Sequence, residues 1–159
     1  LKGPLHGGAA QEVYSMLRHI GSEKNVEKYV KNVLGRHERI MGFGHRVYKT
    51  YDPRARILRA MCEKLSEQKK IMKWYDMSVK IEDVMLKSKN LYPNVDFYSA
   101  SVYHMLGINL DLDSPMFAIS RISGWVAHVL EQYADNRLIR PTTIYTGPKR
   151  LKFVPLEKR

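Results

Sequence analysis

Apolar residues recur at intervals of three and four along almost all of this 159-residue chain, and that period leaves one fold class open. Val13, Met16, Leu17 and Ile20 fall at i, i+3, i+4 and i+7, which predicts a helix from Ala9 to Ile20 ended by Gly21. Ser22 is a good N-cap for a second helix, where Val26, Tyr29, Val30, Val33 and Leu34 repeat the spacing before Gly35. Asp52-Pro53 puts a capping carboxylate before a proline whose fixed φ suits the first helical turn. That start predicts a helix through Ile57, Leu58, Met61, Leu65 and Met72 as far as Trp74, and Ser78 to Lys89 carries another. A loop, YPNVDFYSA, follows; helix then resumes through Val102, Tyr103, Met105 and Leu106 and stops near Gly107. Ser114-Pro115 opens MFAISRISGWVAHVLEQYADN, whose Met116, Ile119, Ile122, Val126, Val129 and Tyr133 share a face. The last twenty residues read as an extended tail, and the helix-poor stretch at 36–49 has room for a short β-hairpin. The dominant period makes the chain mainly α.

A hydrophobic content of 44% suits a packed protein, and no apolar run approaches the ~20 residues of a spanning helix. Cys62 is the lone cysteine, which excludes an intramolecular disulfide and any multi-cysteine zinc site and fits a reducing, cytoplasmic setting. The first residues, LKGPLHGGAA, lack an initiator Met and the apolar core of a signal peptide, so the chain reads as a piece of a longer protein. Twenty-seven Lys and Arg against 16 Asp and Glu give +11. Such a balance points to an anionic partner or to a solvated basic surface. The lysines are spread along helices, whereas arginines gather near Gly, His and Pro, where planar guanidinium groups suit carboxylates and phosphates.

Three polar residues stand out by position: His6 in GPLHGGA, His45 in GFGHRV and Asp96 in PNVDFYS. Each is expected on a loop or at a helix edge, among glycines or aromatics that let a ligand come close. An aspartate between Val95 and Phe97 is expected to be partly desolvated, which favours a role as general base. Catalytic, metal-ligating and structural readings of this trio stay open on spacing alone, although no HxH or HExxH pair supports a metal. His19, His37, His104 and His128 read as surface or satisfied histidines, and Met61, Met72, Met77 and Met85 as packing residues.

GPLHGGA, MGFGHRVYKTYDPRA, PNVDFYS, FAISRISGWVAHVLEQ and NRLIRP stand here in the order they have in citrate synthases, and the chain resembles that family from Lys2 to the tail. The wording is most similar to the prokaryotic type, which includes 2-methylcitrate synthases. The resemblance implies an all-helical, citrate synthase-like fold. It implies a small domain at 8–110, with 1–7 and 111–159 forming the C-terminal part of the large domain and the N-terminal half absent. It implies condensation of acetyl-CoA with oxaloacetate through an enol and citryl-CoA, with no permanently bound cofactor, coenzyme A as acyl carrier and no metal. Asp96 matches the base that deprotonates the acetyl methyl, His6 the donor to the thioester oxygen, and His45 the residue that polarises the oxaloacetate carbonyl. Arg54, Arg121 and Arg140 match carboxylate-binding arginines, the last reaching the partner subunit of a homodimer. Arg39, Ile40, Met41, Gly42, Gly44, Arg46 and Lys49 match the border of the CoA site. The chemistry is coherent, because a thioester α-proton is so weakly acidic that the base needs donors to stabilise the enolate oxygen.

Two positions depart from the pattern: Ala100 where many members carry Gly, and Thr142-Thr143 where a basic residue is common. Propionyl-CoA, for a 2-methylcitrate synthase, is the alternative substrate, since one methyl group discriminates by only ~1–3 kcal/mol. A non-catalytic basic helical module binding nucleic acid is the competing class, and the placement of the arginines in substrate motifs counts against it. The isolated piece is expected to be inactive.

Overall fold

A computed structural model describes residues 8–159. Its α-helices are α1 Ala9–Ile20, α2 Val26–Gly35, α3 Pro53–Lys69, α4 Lys73–Lys89, α5 Val95–Met105 and α6 Asp113–Ala134, with 3₁₀ turns at Glu23–Asn25, Leu110–Leu112 and Leu156–Lys158. Among the described residues extended pairing is confined to one isolated antiparallel bridge, Phe43 with Pro93, so the 36–49 stretch holds no hairpin. No described helix is long and apolar enough to cross a membrane. The chain divides into two units, Leu1–Ile122 and Ser123–Arg159, with the boundary inside α6.

In the first unit α5 is central. It packs most extensively on α3 and also on α1, while α2 packs on α4. Val13, Leu17, Val26, Val30, Met77, Ile81, Phe97 and Tyr98 are fully buried there. Each such side chain contributes about 1.5–3 kcal/mol of burial. α1 and α2 form where the spacing predicts. Gly21 closes α1 in the left-handed conformation that glycine adopts without a Cβ clash, at φ 70°.

Two boundaries differ from expectation. The helix from Pro53 does not reach Trp74: Lys70 turns left-handed at φ 55°, its N–H bonding Glu67 and Ser66 carbonyls, and α4 already starts at Lys73. Helix α5 starts at Val95, inside the stretch YPNVDFYSA, because the Asn94 side chain accepts from the Asp96 N–H, and Asp96 stands at the helix edge, one of its two expected placements. Met77 and Met85 are core, whereas Met61 is 54% exposed on α3.

The second unit holds the rest of α6 and an extended segment, and none of its residues is buried. Its contacts are local: the Tyr145 hydroxyl donates to the Pro148 carbonyl at 3.1 Å, and Arg159 Nε to the Val154 carbonyl at 3.0 Å.

Candidate active site

The loop carrying His45 is laid across the start of α5. Gly44 N–H donates to the Tyr92 carbonyl at 2.9 Å and Asn94 N–H to the Gly42 carbonyl at 2.8 Å, on either side of the Phe43–Pro93 bridge. The Phe43 ring rests on Phe97, centroids 4.6 Å apart. Gly42 makes this approach possible. Its φ is +83°, and an added Cβ would lie 2.8 Å from Phe97 Cδ2 and 2.9 Å from Val13 Cγ2, both inside the packed core.

His45 is exposed at the end of this loop, and its tautomer follows from its partners. The backbone N–H groups of Val47 and Tyr48 both donate to Nδ1, each at 3.0 Å. A ring nitrogen that accepts carries no proton, so in the neutral ring the hydrogen is on Nε2. Arg54 Nη2 lies 3.2 Å from that Nε2. Both groups are donors, so neither satisfies the other, and the pair is set up to share an acceptor oxygen placed between them. Arg54 is held from behind by Asp52, which is 1% exposed: Nε to Oδ1 is 3.0 Å and Nη2 to Oδ2 2.8 Å. Burial pushes the Asp52 carboxyl up, but the Arg54 hydrogen bonds and charge together outweigh it and hold the carboxyl below its usual range. The same carboxylate caps α3 through the Arg54 N–H at 3.0 Å, so a single residue starts the helix and aims its arginine.

Two cavities open beside this arrangement. One, of about 420 Å³, has the apolar residues Leu34, Ile40, Met41, Phe43, Met85 and Leu91 in its wall, with Arg39 and Lys89 as its cations. The other, of about 290 Å³, is bordered by His45, Arg46, Arg54, Asn94, Val95, Asp96 and Phe117. Gly44, Asn94 and Asp96 border both. Asp96 is half-buried in the first turn of α5, where the aligned peptide dipoles favour negative charge. Asp96 thus borders an apolar cavity with cations and a smaller polar one with two converging donors.

Of the sequence-selected residues, Arg39, Ile40, Met41, Gly42 and Gly44 come together with Asp96 on the larger cavity, and Arg46, His45 and Arg54 on the smaller. Lys49 lies on a neighbouring cleft with His45 and Asp52. Arg121 is exposed on α6 and borders neither cavity; Arg140 belongs to the second unit; His6 lies outside the described residues. Among the other histidines, His104 Nε2 is 3.1 Å from the Tyr14 hydroxyl and His128 pairs with Glu131 at 3.3 Å, satisfied as expected.

Sequence reasoning missed a polar cluster behind the site. Glu82, 6% exposed on α4, accepts from Arg59 Nη1 of α3 at 3.3 Å and from the Tyr98 hydroxyl of α5. Burial and the Glu82 carboxylate push the Tyr51 hydroxyl up to about 12. The partners are 16 and 23 positions apart, and no local pattern marks them. It also missed Asn94, although Asn before an apolar helical run is an N-cap signal.

The described helical unit thus sets one carboxylate on the border of two cavities. Residues 1–142 match the family described as "Citrate synthase, C-terminal domain", and the chain belongs to the citrate synthase family. It is 58% identical over its whole length to citrate synthase 2 of Bacillus subtilis (strain 168) and 55% identical to the citrate synthase of Haloferax volcanii, covering 43% and 42% of those proteins. The citrate synthase of the archaeon Thermoplasma acidophilum, solved as a ternary complex with carboxymethyl coenzyme A and oxaloacetate, superposes with a TM-score of 0.87 at 45% identity. All of this chain and 44% of that one are covered. The chain therefore spans less than half the length of the relatives it matches.

Proposed function

We propose that this chain is the C-terminal part of a citrate synthase that condenses acetyl-CoA with oxaloacetate and water to give citrate and CoA. The observation that carries the reading is Asp96 bordering both cavities. The larger cavity takes the acyl-CoA: its wall suits a thioester and pantetheine arm, and Arg39 and Lys89 suit phosphates. The smaller takes oxaloacetate, whose ketone or carboxylate oxygen is the acceptor that His45 Nε2–H and Arg54 share. Asp96 removes a methyl proton, the enol carbon attacks the polarised ketone, and His45 donates its Nε2 proton to the new alkoxide. Water then cleaves citryl-CoA. His6 as donor to the enol oxygen, and Arg121 and Arg140 as carboxylate partners, rest on the family motifs. So do the 110/111 domain boundary, the homodimer and acetyl-CoA over propionyl-CoA; the cytoplasmic setting rests on the lone buried thiol, Cys62.

The test uses the full-length enzyme. Asp96→Asn is expected to retain oxaloacetate binding and to lose about 10²–10⁴ in kcat, the usual contribution of a positioned base. Near-wild-type turnover would remove Asp96 from the reaction. Comparing kcat/KM for acetyl-CoA and propionyl-CoA decides the acyl donor, and a preference for propionyl-CoA makes the protein a 2-methylcitrate synthase.

A further inference from the structure

We infer that Asn94 is a positioning residue whose carboxamide holds His45 and Asp96 in one fixed geometry; this rests on the reading of Asp96 as the base. Asn94 Oδ1 accepts from the Asp96 N–H at 3.0 Å, and Nδ2 donates to the Gly44 carbonyl at 3.0 Å. A backbone N–H only donates and a carbonyl only accepts, so the amide has one orientation that satisfies both. One end fixes the peptide that bears Asp96. The other fixes the peptide immediately before His45. The two groups are joined through a single planar side chain that itself borders both cavities.

The helix alone does not require this. An N-cap needs only an acceptor, and Ser serves about as well as Asn. The donor half of the carboxamide is superfluous for starting α5 and acts only on the His45 loop. Its value lies in the reaction, where carbon–carbon bond formation needs the enol carbon and the ketone brought to about 3–3.5 Å with aligned orbitals, and a displacement near 1 Å costs about 10²-fold. Gly44, at φ +79° with no side chain, is held on its N–H side by the Tyr92 carbonyl, and the Asn94 donor holds its carbonyl side, the side that leads into His45.

The experiment is Asn94→Ser in the full-length enzyme, which keeps a cap oxygen but cannot span to the Gly44 carbonyl. Expected are a melting temperature within a few degrees of wild type, a kcat per folded enzyme lower by about 10²-fold, and a KM for acyl-CoA that changes far less. If the serine protein does not fold, Asn94→Asp replaces it: it is isosteric, keeps the acceptor and loses the donor, and the same kcat loss is expected. Wild-type kcat in a folded variant overturns the inference, as does a loss that only tracks the unfolded fraction. Asp96→Asn, measured alongside, separates the two readings. If it retains turnover, the assignment of the base has failed, whatever Asn94 does.

Discussion

Helices α5 and α6 are both rich in apolar side chains and end in opposite conditions. Seven of the eleven residues of α5 are buried, Phe97 and Tyr98 completely. In α6, twice as long at 22 residues, Asp113 alone is buried, while Ile119, Ile122, Val126, Val129 and Tyr133 are 47–72% exposed. The α5 residues Ser99, Ala100 and Ser101 are small enough for neighbouring helices to approach. After its opening turns, where Phe117 rests on the core, α6 has an apolar surface and no described surface over it. Period identifies which residues share a face. Whether that face is dry depends on whether another surface is present, and contiguous exposed stripes of this kind are association sites.

The largest effect expected from this contrast is on unfolding. Phe97→Ala removes a fully buried ring on which Phe43 also rests, and it is expected to cost about 3–5 kcal/mol. Ile122→Ala, at a site 53% exposed, is expected to stay within about 0.5 kcal/mol. Denaturant midpoints of the two variants give the ratio directly, and equal losses would break the contrast.

Next in size is the polar joint between α3, α4 and α5. Arg59→Met leaves the Glu82 carboxylate buried without its cation. It is expected to cost about 3 kcal/mol, the lower end for a broken buried pair, because the Arg59 side chain is 38% exposed. Adding Glu82→Gln is expected to recover most of that loss, since the amide carries no charge and keeps an acceptor for the Tyr98 hydroxyl. A double variant no better than the single one would show that packing, not charge, holds the joint.

The smallest effect sharpens the one buried residue of α6. Asp113 is 1% exposed, its carboxyl oxygens have no hydrogen-bond partner among the described residues, and burial pushes its carboxyl up to about 6. The folded state then binds a proton that the unfolded chain, at 3.8, releases earlier, so stability is greatest below that value and falls as pH rises towards about 6. At 1.36 kcal/mol per unit, Asp113→Asn is expected to gain roughly 1–3 kcal/mol at neutral pH relative to acid. The difference between the two chains across pH 4–7 isolates Asp113 from Asp52, whose depressed carboxyl acts in the opposite direction.

The legible parts of the sequence were those whose causes are local. Spacing and Gly21 marked α1, Asp52-Pro53 marked the start of α3, and the glycines around Phe43 marked the loop that bears His45. The break at Lys70 was not legible, because a lysine in the left-handed region has no preference of its own to signal it. Nor was the Glu82 joint, whose partners meet only once three helices have packed. The shared position of Asp96 was invisible for the same reason. Its motif gave the residue, and a loop some fifty positions upstream in the chain supplied the second wall.

That loop is stitched to the start of α5 by backbone bonds on both sides of Phe43, and this has a mechanical consequence. Thermal motion of α5 against α1 or α3 carries the His45 loop along as part of the same body. The displacement of His45 and the displacement of Asp96 are then in phase and largely cancel in the distance between them. Breathing of the helical unit can change the width of its cavities while leaving the spacing of its reacting groups almost constant.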